Sequence, residues 1–236
     1  MVYLSRAFSL LSLLGLFLAC GRTSSQAQSQ ADAKKLLLGI EQTEKYLPAL
    51  AGKTVALVVN HTSIFPNNTH LADSLLSRGV KIKTIFAPEH GFRGTATDGD
   101  VIADGMDKRT GLPITSLYGA NRKPSAEQLS GVDVVIFDIQ DVGARFYTYT
   151  STMHYVLEAC AELGKRCLIL DRPNPNGHYV DGPVMEPKFT SFVGLNPVPI
   201  VHGCTVGELA NMIVGEGWLA TGKGTGNAPP TRLKKA

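Results

Sequence analysis

Apolar runs and amphipathic stretches alternate regularly from residue 53 to residue 218. The apolar runs are rich in β-branched residues, as buried strands are, and the stretches between them carry apolar residues at helical spacing. Strands are predicted at 53–60, 80–88, 132–141 and 165–173, with a short fifth strand at 198–203. Helices are predicted at 68–79, 149–164 and 205–218, with a shorter one at 123–131.

This alternation predicts an α/β fold in which a parallel sheet is covered by helices on both faces. In such sheets, ligands bind outside the carboxyl ends of the strands. Polar side chains follow four of the predicted strands at that edge, so we expect them to converge on one site. They are Glu89 with His90, Asp141, Asp171 with Asn174, and His202.

The helix ends carry capping signals. Ser125 is a plausible N-cap for the short helix at 123–131, because its side-chain oxygen can accept an amide hydrogen of the first turn. Thr205 and Glu208 have the spacing of a capping box at the start of the last helix.

The composition is that of a soluble globular protein. Of the 236 residues, 44% are hydrophobic and 18% are charged, and the net charge is +3 with scattered basic residues, so we expect no nucleic-acid partner. The sequence has no dinucleotide-binding fingerprint, no P-loop and no GxSxG elbow. Since those motifs are lacking, we expect no cofactor. Cys160, Cys167 and Cys204 lack metal-ligand spacing, so we expect no metal site, and we expect buried thiols at Cys160 and Cys167.

The first 35 residues are typical of export signals. Arg6 precedes an apolar stretch that is too short for a comfortable membrane span, so we assign residues 1–20 to a signal peptide. Its end resembles a bacterial lipoprotein processing site, which predicts lipidation of Cys20, and residues 21–35 would form a flexible tether. The alternative is an ordinary signal cleaved near TSSQAQSQA. We expect export across the inner membrane and a lipid anchor in the cell envelope, in the periplasm or outer membrane.

The run APEHGFRG (87–94) places three ionisable side chains directly after a buried strand. The apolar residues 86–88 would desolvate Glu89 and favour its protonated form, as a general acid requires. A positive charge on His90 or Arg93 would oppose this, so we expect both to face the substrate or another carboxylate. The alternative is that Glu89 is a helix cap or a salt-bridge residue.

The run FDIQDVGARFYTYTS is the second candidate segment. Asp138 and Gln140 share one face of the predicted strand, and Asp141 lies where the strand ends. Arg145 can clamp a carboxylate with two hydrogen bonds, and Tyr147 offers a flat apolar face with a polar tip, as sugar sites often do. The alternative is that Asp138 and Arg145 form a buried structural pair and the tyrosines belong to the core.

Two further polar residues are candidates for substrate binding. Asn174 lies in the proline-stiffened run LDRPNPNG, although plain turn chemistry explains an Asn there equally well. His202 follows the predicted fifth strand, and the alternative for this residue is a buried, hydrogen-bonded histidine.

Five segments, in order along the chain, resemble motifs of the NamZ family of exo-β-N-acetylmuramidases (glycoside hydrolase family 171). They are APEHGFRG, DGMDKRTGLPITSLYG, FDIQDVGARFYTYTSTM, LDRPNPNG and VPIVHGCTVGELA. The resemblance implies a secreted or lipid-anchored glycosidase that releases N-acetylmuramic acid (MurNAc) from the non-reducing ends of peptidoglycan fragments. It also implies a Rossmann-like catalytic domain, which we place at 36–220, and a smaller C-terminal domain that helps form the cleft.

The resemblance implies roles for single residues as well. The leading catalytic candidate of the family is the Glu of PEHG, which corresponds to Glu89, and we expect Asp141 to be its partner. MurNAc carries a lactyl carboxylate, for which Arg93 and Arg145 are suited, while the tyrosines suit the sugar ring. A second functional class stays open, in which the chain is a non-catalytic, lipid-anchored muropeptide-binding fragment.

The family pattern stops near residue 220. Residues 221–236 are basic and rich in Gly and Pro, without a strand or helix pattern. We expect an unstructured, aberrant tail there, as in a truncated or frame-shifted reading of a longer gene, and we expect the smaller C-terminal domain of the family to be missing.

Overall fold

The computed structural model describes residues 36–94 and 104–220, which form a six-stranded sheet with helices on both faces. The strands are β1 (Thr54–Val59), β2 (Lys81–Ala87), β3 (Gly105–Met106), β4 (Pro113–Ser116), β5 (Val134–Asp138) and β6 (Arg166–Ile169). Their order is β3-β4-β2-β1-β5-β6, with β3 antiparallel to β4 and every other neighbouring pair parallel. The predicted α/β fold is confirmed.

One helix precedes β1, two lie in crossovers between strands, and one follows β6. They are α1 (Thr43–Tyr46), α2 (Leu71–Ser77), α3 (Tyr149–Glu162) and α4 (Val206–Gly215). Short 3₁₀ turns occupy Gly39–Glu41, Leu47–Leu50 and Pro187–Phe189.

Two hydrophobic cores cover the two faces of the sheet. Because successive side chains of a strand point to opposite faces, Val55 and Leu57 of β1 belong to one core and Ala56 and Val58 to the other. The first core is closed by α2 and the N-terminal turns, and the second by α3 and α4. Helices on both faces explain why β1 and β5 are almost continuously apolar.

The strand order changes direction at β1. β2 and β4 add to one side of β1, and the chain then crosses over to add β5 and β6 on the other side. This reversal leaves a crevice outside the carboxyl ends of the central strands. The loops that follow β1, β2 and β5 surround this crevice. Glu89 lies on the loop after β2 and Asp141 on the loop after β5, whereas Asn174 and His202 follow β6.

Most predicted strands are confirmed, but two parts of the sheet differ from the prediction. The fifth strand at 198–203 was wrong, because Val201 forms only isolated bridges with Ala144 and Asp181. Pro197 and Pro199 lack the amide hydrogens that a regular ladder requires. β3 and β4 lie between residues 88 and 132, where no strand was predicted.

The long helices are confirmed, including the capping box of Thr205 and Glu208 at the start of α4. The predicted helix at 123–131 is instead a turn, in which the Ser125 hydroxyl accepts the amide hydrogen of Gln128 at 3.2 Å. Gly131 ends that turn with a φ of 65°.

The helix α2 is shorter than predicted because His70 caps it. The Nδ1 atom of His70 accepts the amide hydrogen of Ala72 at 3.2 Å, and its Nε2 lies 2.9 Å from the carbonyl oxygen of Asn60. Since Nδ1 must accept, the proton of the neutral ring is on Nε2. Burial lowers the pKa of His70, which keeps the ring in this neutral form.

Several predictions fall on residues outside 36–94 and 104–220. They are the signal peptide, the lipidation of Cys20, the tether at 21–35 and the tail at 221–236. In the part of the chain that the structure describes, no helix is both long and apolar enough to cross a membrane. Cys160 and Cys167 are buried free thiols, as predicted.

Candidate active site

Glu89 follows β2 at the crevice and contacts the start of α3. The hydroxyl of Thr148 donates a hydrogen bond to Oε2 of Glu89 at 2.7 Å. Thr148 is the N-cap residue of α3, yet its side chain makes no capping hydrogen bond to its own helix. A threonine N-cap typically stabilises a helix by about 1 kcal/mol, so α3 gives up this contribution and the hydroxyl holds Glu89 instead.

The backbone after Glu89 adopts an unusual conformation. His90 has a φ of 69° and Gly91 a φ of 76°, so two successive residues lie in the left-handed region. Such a conformation is uncommon for a residue with a side chain and is enriched at functional sites. The His90 ring lies beside that of Tyr149, with 6.5 Å between ring centroids.

Gly94 closes the same loop against the residues after β1. It has a φ of 70°, and a Cβ atom there would lie 2.7 Å from Cγ of His61. Any side chain at this position would therefore push the loop away from His61, so the glycine fixes the close approach of the β2 loop to the β1 loop.

Asp141 forms a buried pair with His202. Its Oδ2 accepts the amide hydrogen of Gly143 at 2.7 Å and lies 3.6 Å from Nε2 of His202. The amide of Cys204 donates to Nδ1 of His202, which leaves the proton of the neutral ring on Nε2, facing the carboxylate. The side chains of His202 and Asp141 are only 2% and 6% exposed. The alternative of a buried, hydrogen-bonded histidine therefore describes His202 well.

The first turn of α3 is the place where the candidate catalytic residues meet. Glu89 is bonded to Thr148, the His90 ring faces Tyr149, and Asp141 lines a small gap together with Tyr149 and Thr150. The structure thus brings the ends of β2 and β5 to one helix N-terminus, as the sheet topology predicts.

Asp138 is buried at the end of β5 in an ion pair. Its carboxylate is fully buried and receives two hydrogen bonds from Arg172, at 2.6 Å from Nε and 3.0 Å from Nη2. Burial raises the pKa of Asp138, and the guanidinium opposes that rise. A structural pair was one alternative for Asp138, but the expected partner, Arg145, was wrong.

Arg93 is held in an ion-pair network on the other side of the Glu89 loop. Its guanidinium donates to both carboxylate oxygens of Asp107, at 2.8 and 3.1 Å, and lies 3.6 Å from Asp73. Burial alone would raise the pKa of Asp107, but hydrogen bonds from Arg93 and Thr110 hold it at about 2. Arg93 thus faces another carboxylate, as expected.

Arg145 is a buried cation that contacts carbonyl groups. Its Nη1 atom donates to the carbonyl oxygens of Pro183 and Val198, while its Nε atom is buried and has no hydrogen-bond partner among the described residues. Within residues 36–94 and 104–220, no carboxylate pairs with it. The guanidinium therefore braces the segment around residue 183.

The remaining candidates hold loops or face solvent. Gln140 donates through Nε2 to the carbonyl oxygens of Asp141 and Pro173, both at 2.8 Å. Oδ1 of Asn174 accepts the amide hydrogen of Asn176 at 2.7 Å, which is the turn chemistry that was the alternative for this residue. Its Nδ2 donates to the carbonyl oxygen of Cys204 at 2.8 Å. Tyr147 is 54% exposed and is not part of the core.

Sequence reasoning did not single out three residues of this site. Thr148 holds Glu89, Arg172 neutralises Asp138, and Asp107 pairs with Arg93. All three lie inside the motifs DGMDKRTGLPITSLYG, FDIQDVGARFYTYTSTM and LDRPNPNG, which was the available signal. Their partners are 14 to 59 positions away along the chain, so no spacing rule connects them.

Comparisons with known proteins identify the family of the chain. The family described as "Exo-beta-N-acetylmuramidase NamZ, N-terminal" matches residues 55–227. A relative from Bacillus subtilis (strain 168), "Peptidoglycan beta-N-acetylmuramidase NamZ", is 41% identical over 205 residues, which are 86% of this chain and 50% of the relative.

Two crystal structures of DUF1343 family proteins from Bacteroides fragilis NCTC 9343 share the fold. One is 49% identical with a TM-score of 0.70, and the other is 40% identical with a TM-score of 0.72. Each alignment covers 78% of this chain, and 48% and 47% of those proteins respectively. The chain thus spans about half the length of the relatives it matches. It belongs to the NamZ family and corresponds to the N-terminal part of that family's proteins.

Proposed function

We propose that the chain carries the catalytic part of an exo-acting glycosidase that releases MurNAc from the non-reducing ends of peptidoglycan fragments, in cell-wall turnover and recycling. Family membership supports the class of reaction. The observation that carries the proposal is the hydrogen bond from Thr148 to Glu89. The Thr148 hydroxyl makes this bond and does not cap α3.

Glu89 acts in this proposal as the general acid. Cleavage of a glycosidic bond requires a carboxylic acid that protonates the leaving oxygen. Because the Thr148 hydroxyl donates to Oε2, the acidic proton of Glu89 belongs on Oε1. The fixed Oε2 atom then orients the carboxyl group, so that Oε1 presents the proton to the bond.

Asp141 is the proposed second carboxyl group. It lies at the same helix N-terminus as Glu89, and its Oδ2 lies 3.6 Å from Nε2 of His202. Its burial would exclude bulk water from the reacting atoms, and it also requires that the cleft open for Asp141 to reach a sugar.

Arg145 is the better candidate for the lactyl carboxylate. Arg93 already pairs with Asp107, whereas Arg145 has no carboxylate partner among the described residues. A charge-assisted hydrogen bond contributes about 1.5–3 kcal/mol, so a MurNAc glycoside should be cleaved roughly tenfold to a hundredfold faster than the matching N-acetylglucosamine glycoside. Equal rates on the two sugars would contradict this assignment.

The decisive experiment follows free MurNAc released by the purified full chain from a MurNAc–N-acetylglucosamine disaccharide. Glu89→Gln keeps the shape but removes the proton donor, so release should fall by about 10²–10⁴-fold. Glu186→Gln is the matched control, because Glu186 is 61% exposed and pairs only with Lys188 among the described residues. Near-normal release by Glu89→Gln would place the acid elsewhere.

A second candidate function is binding of muropeptides without catalysis. The burial of Asp141 favours it, since the carboxyl group proposed as the partner of Glu89 is only 6% exposed. In this case calorimetry should detect binding of the disaccharide by the wild type with no MurNAc released. Binding should also survive in Glu89→Gln.

We further propose that the protein is exported and anchored to the cell envelope through a lipid on Cys20. The support is the sequence of the first 35 residues, with an apolar stretch and a lipobox-like end. Cys20→Ala should move the protein from the membrane fraction to the soluble fraction of fractionated bacteria. An unchanged membrane fraction would contradict the anchor.

A further inference from the structure

The surface formed by residues 146–147 and 179–193 exposes large apolar side chains. Seven large apolar side chains on it are each between 42% and 65% exposed. They are Phe146, Tyr147, Tyr179, Val180, Val184, Phe189 and Val193, and we call them the apolar face.

These side chains lie on adjoining stretches of backbone. Arg145 precedes Phe146 and Tyr147, and it donates to the carbonyl oxygen of Pro183 through Nη1 and to that of Ile200 through its backbone amide. Val201 also bridges both Ala144 and Asp181. The residues around 146 and those around 180–184 are therefore held side by side.

The segment that carries most of the apolar face has a fixed conformation. Asp181 and Val201 exchange two backbone hydrogen bonds, at 3.1 and 2.9 Å, and the amide of Met185 donates to the carbonyl oxygen of Val198. Phe192 packs the segment against α3, since its ring stacks on that of Tyr155 with 6.1 Å between the ring centroids. The apolar side chains thus point outward from a braced backbone.

An exposed face of this composition is typical of a protein interface. Soluble monomers rarely expose contiguous apolar patches larger than a few hundred Å², and the cores of interfaces are poor in charged residues. Between residues 177 and 197, the charged residues are Asp181, Glu186 and Lys188. We propose that the apolar face is the docking surface for the C-terminal half that the longer NamZ-family proteins carry.

The length of the relatives and the path of the chain favour this occupant. The relatives are about twice as long as the matched region, so a polypeptide of similar size follows it in them. Ala220 is the last described residue, and its amide donates a hydrogen bond to Glu158 of α3. His154 lies one helical turn before Glu158, and its Nδ1 is 2.7 Å from Oδ1 of Asn196. A polypeptide that continues from Ala220 therefore starts beside the end of the braced segment. The inference rests on family membership and not on the proposed reaction.

Hydrogen exchange on two proteins tests the proposal. One is the full chain, and the other is a chimera in which the C-terminal half of the Bacillus subtilis relative follows residue 220. The amides of 178–193 should exchange about tenfold or more slowly in the chimera. Val184→Lys and Phe189→Lys should restore fast exchange there, while leaving the thermal midpoint of the full chain unchanged.

Met106→Lys is the matched control, because Met106 is 67% exposed but lies on β3 at the edge of the sheet. It should change neither protein. Unchanged exchange at 178–193, or an added half that stays unfolded, would overturn the proposal. So would a dimer of the full chain alone, seen in sedimentation and lost in Phe189→Lys, since the occupant would then be a second copy.

Discussion

The ion pair of Asp138 and Arg172 should be the costliest single contact to break at the carboxyl edge of the sheet. Arg172→Met removes the guanidinium and keeps most of the volume of the side chain. Asp138 is fully buried and takes hydrogen bonds at 2.6 and 3.0 Å from Arg172. The variant therefore leaves a carboxylate in a dry environment, where it must remain charged without a partner or take up a proton.

The expected loss follows from this burial. Breaking a buried pair by removing one partner typically costs about 3–5 kcal/mol, which is a large fraction of the roughly 5–15 kcal/mol of a whole domain. Urea denaturation of the full chain at neutral pH measures the loss as a lower midpoint at an unchanged slope. The pKa of Asp138 should rise further in the variant, so the loss should shrink toward acidic pH.

Two further variants decide whether the charge is responsible. Replacing both partners, as Asp138→Leu with Arg172→Met, should recover most of the loss, because no unpaired charge remains. Arg166→Met on β6 is the control, since Arg166 is exposed and should change the free energy of unfolding by less than about 0.5 kcal/mol. A loss below about 1 kcal/mol for Arg172→Met would refute the reasoning.

Three other predictions concern groups near the crevice. Thr148→Val should lower kcat for MurNAc release about tenfold with little change in KM, whereas Thr148→Ser, which keeps the hydroxyl, should retain most of the rate. Equal rates for the two variants would mean that Thr148 does not orient Glu89. His70 takes up a proton near pH 6.5 in the unfolded chain, but the fold keeps it neutral, so its contribution to stability is full above that pH and is lost below it. In urea denaturation from pH 7.5 to 5.0, His70→Asn should therefore reduce the dependence of the unfolding free energy on pH. Arg93→Met should raise the pKa of Asp107 from about 2 toward its ordinary value, as measured by NMR titration. It should also lower the free energy of unfolding by about 1.5–3 kcal/mol. An unchanged pKa of Asp107 would contradict the pairing.

The sheet was predictable because its strands are apolar on both faces. β1 and β5 are buried on both sides, so their sequences are continuous apolar runs that stand out from the rest. β4 escaped prediction because Pro113 and Ile114 lie in a segment rich in Gly and Asp, and β3 has just two residues on an antiparallel edge. Such short edge strands are defined by their partners and not by local pattern.

The site was predictable in position but not in detail. The topology of a parallel sheet brings the ends of β2 and β5 together, which places Glu89 and Asp141 in one region. The choice of partner depends on side chains far away in sequence, and Asp138 accordingly pairs with Arg172 and not with Arg145. Geometry of this kind is set by packing, which no periodicity records.

The apolar face and the candidate active site are joined by a very short piece of chain. Arg145 braces the segment that carries the apolar face, and three residues later Thr148 holds Glu89. Between them, Phe146 and Tyr147 belong to the apolar face itself. A polypeptide bound on that face would therefore contact Phe146 and Tyr147, which directly precede the first turn of α3. Docking and the orientation of Glu89 should thus be coupled, so that a charge placed at Phe189 slows catalysis in the chimera without touching the crevice.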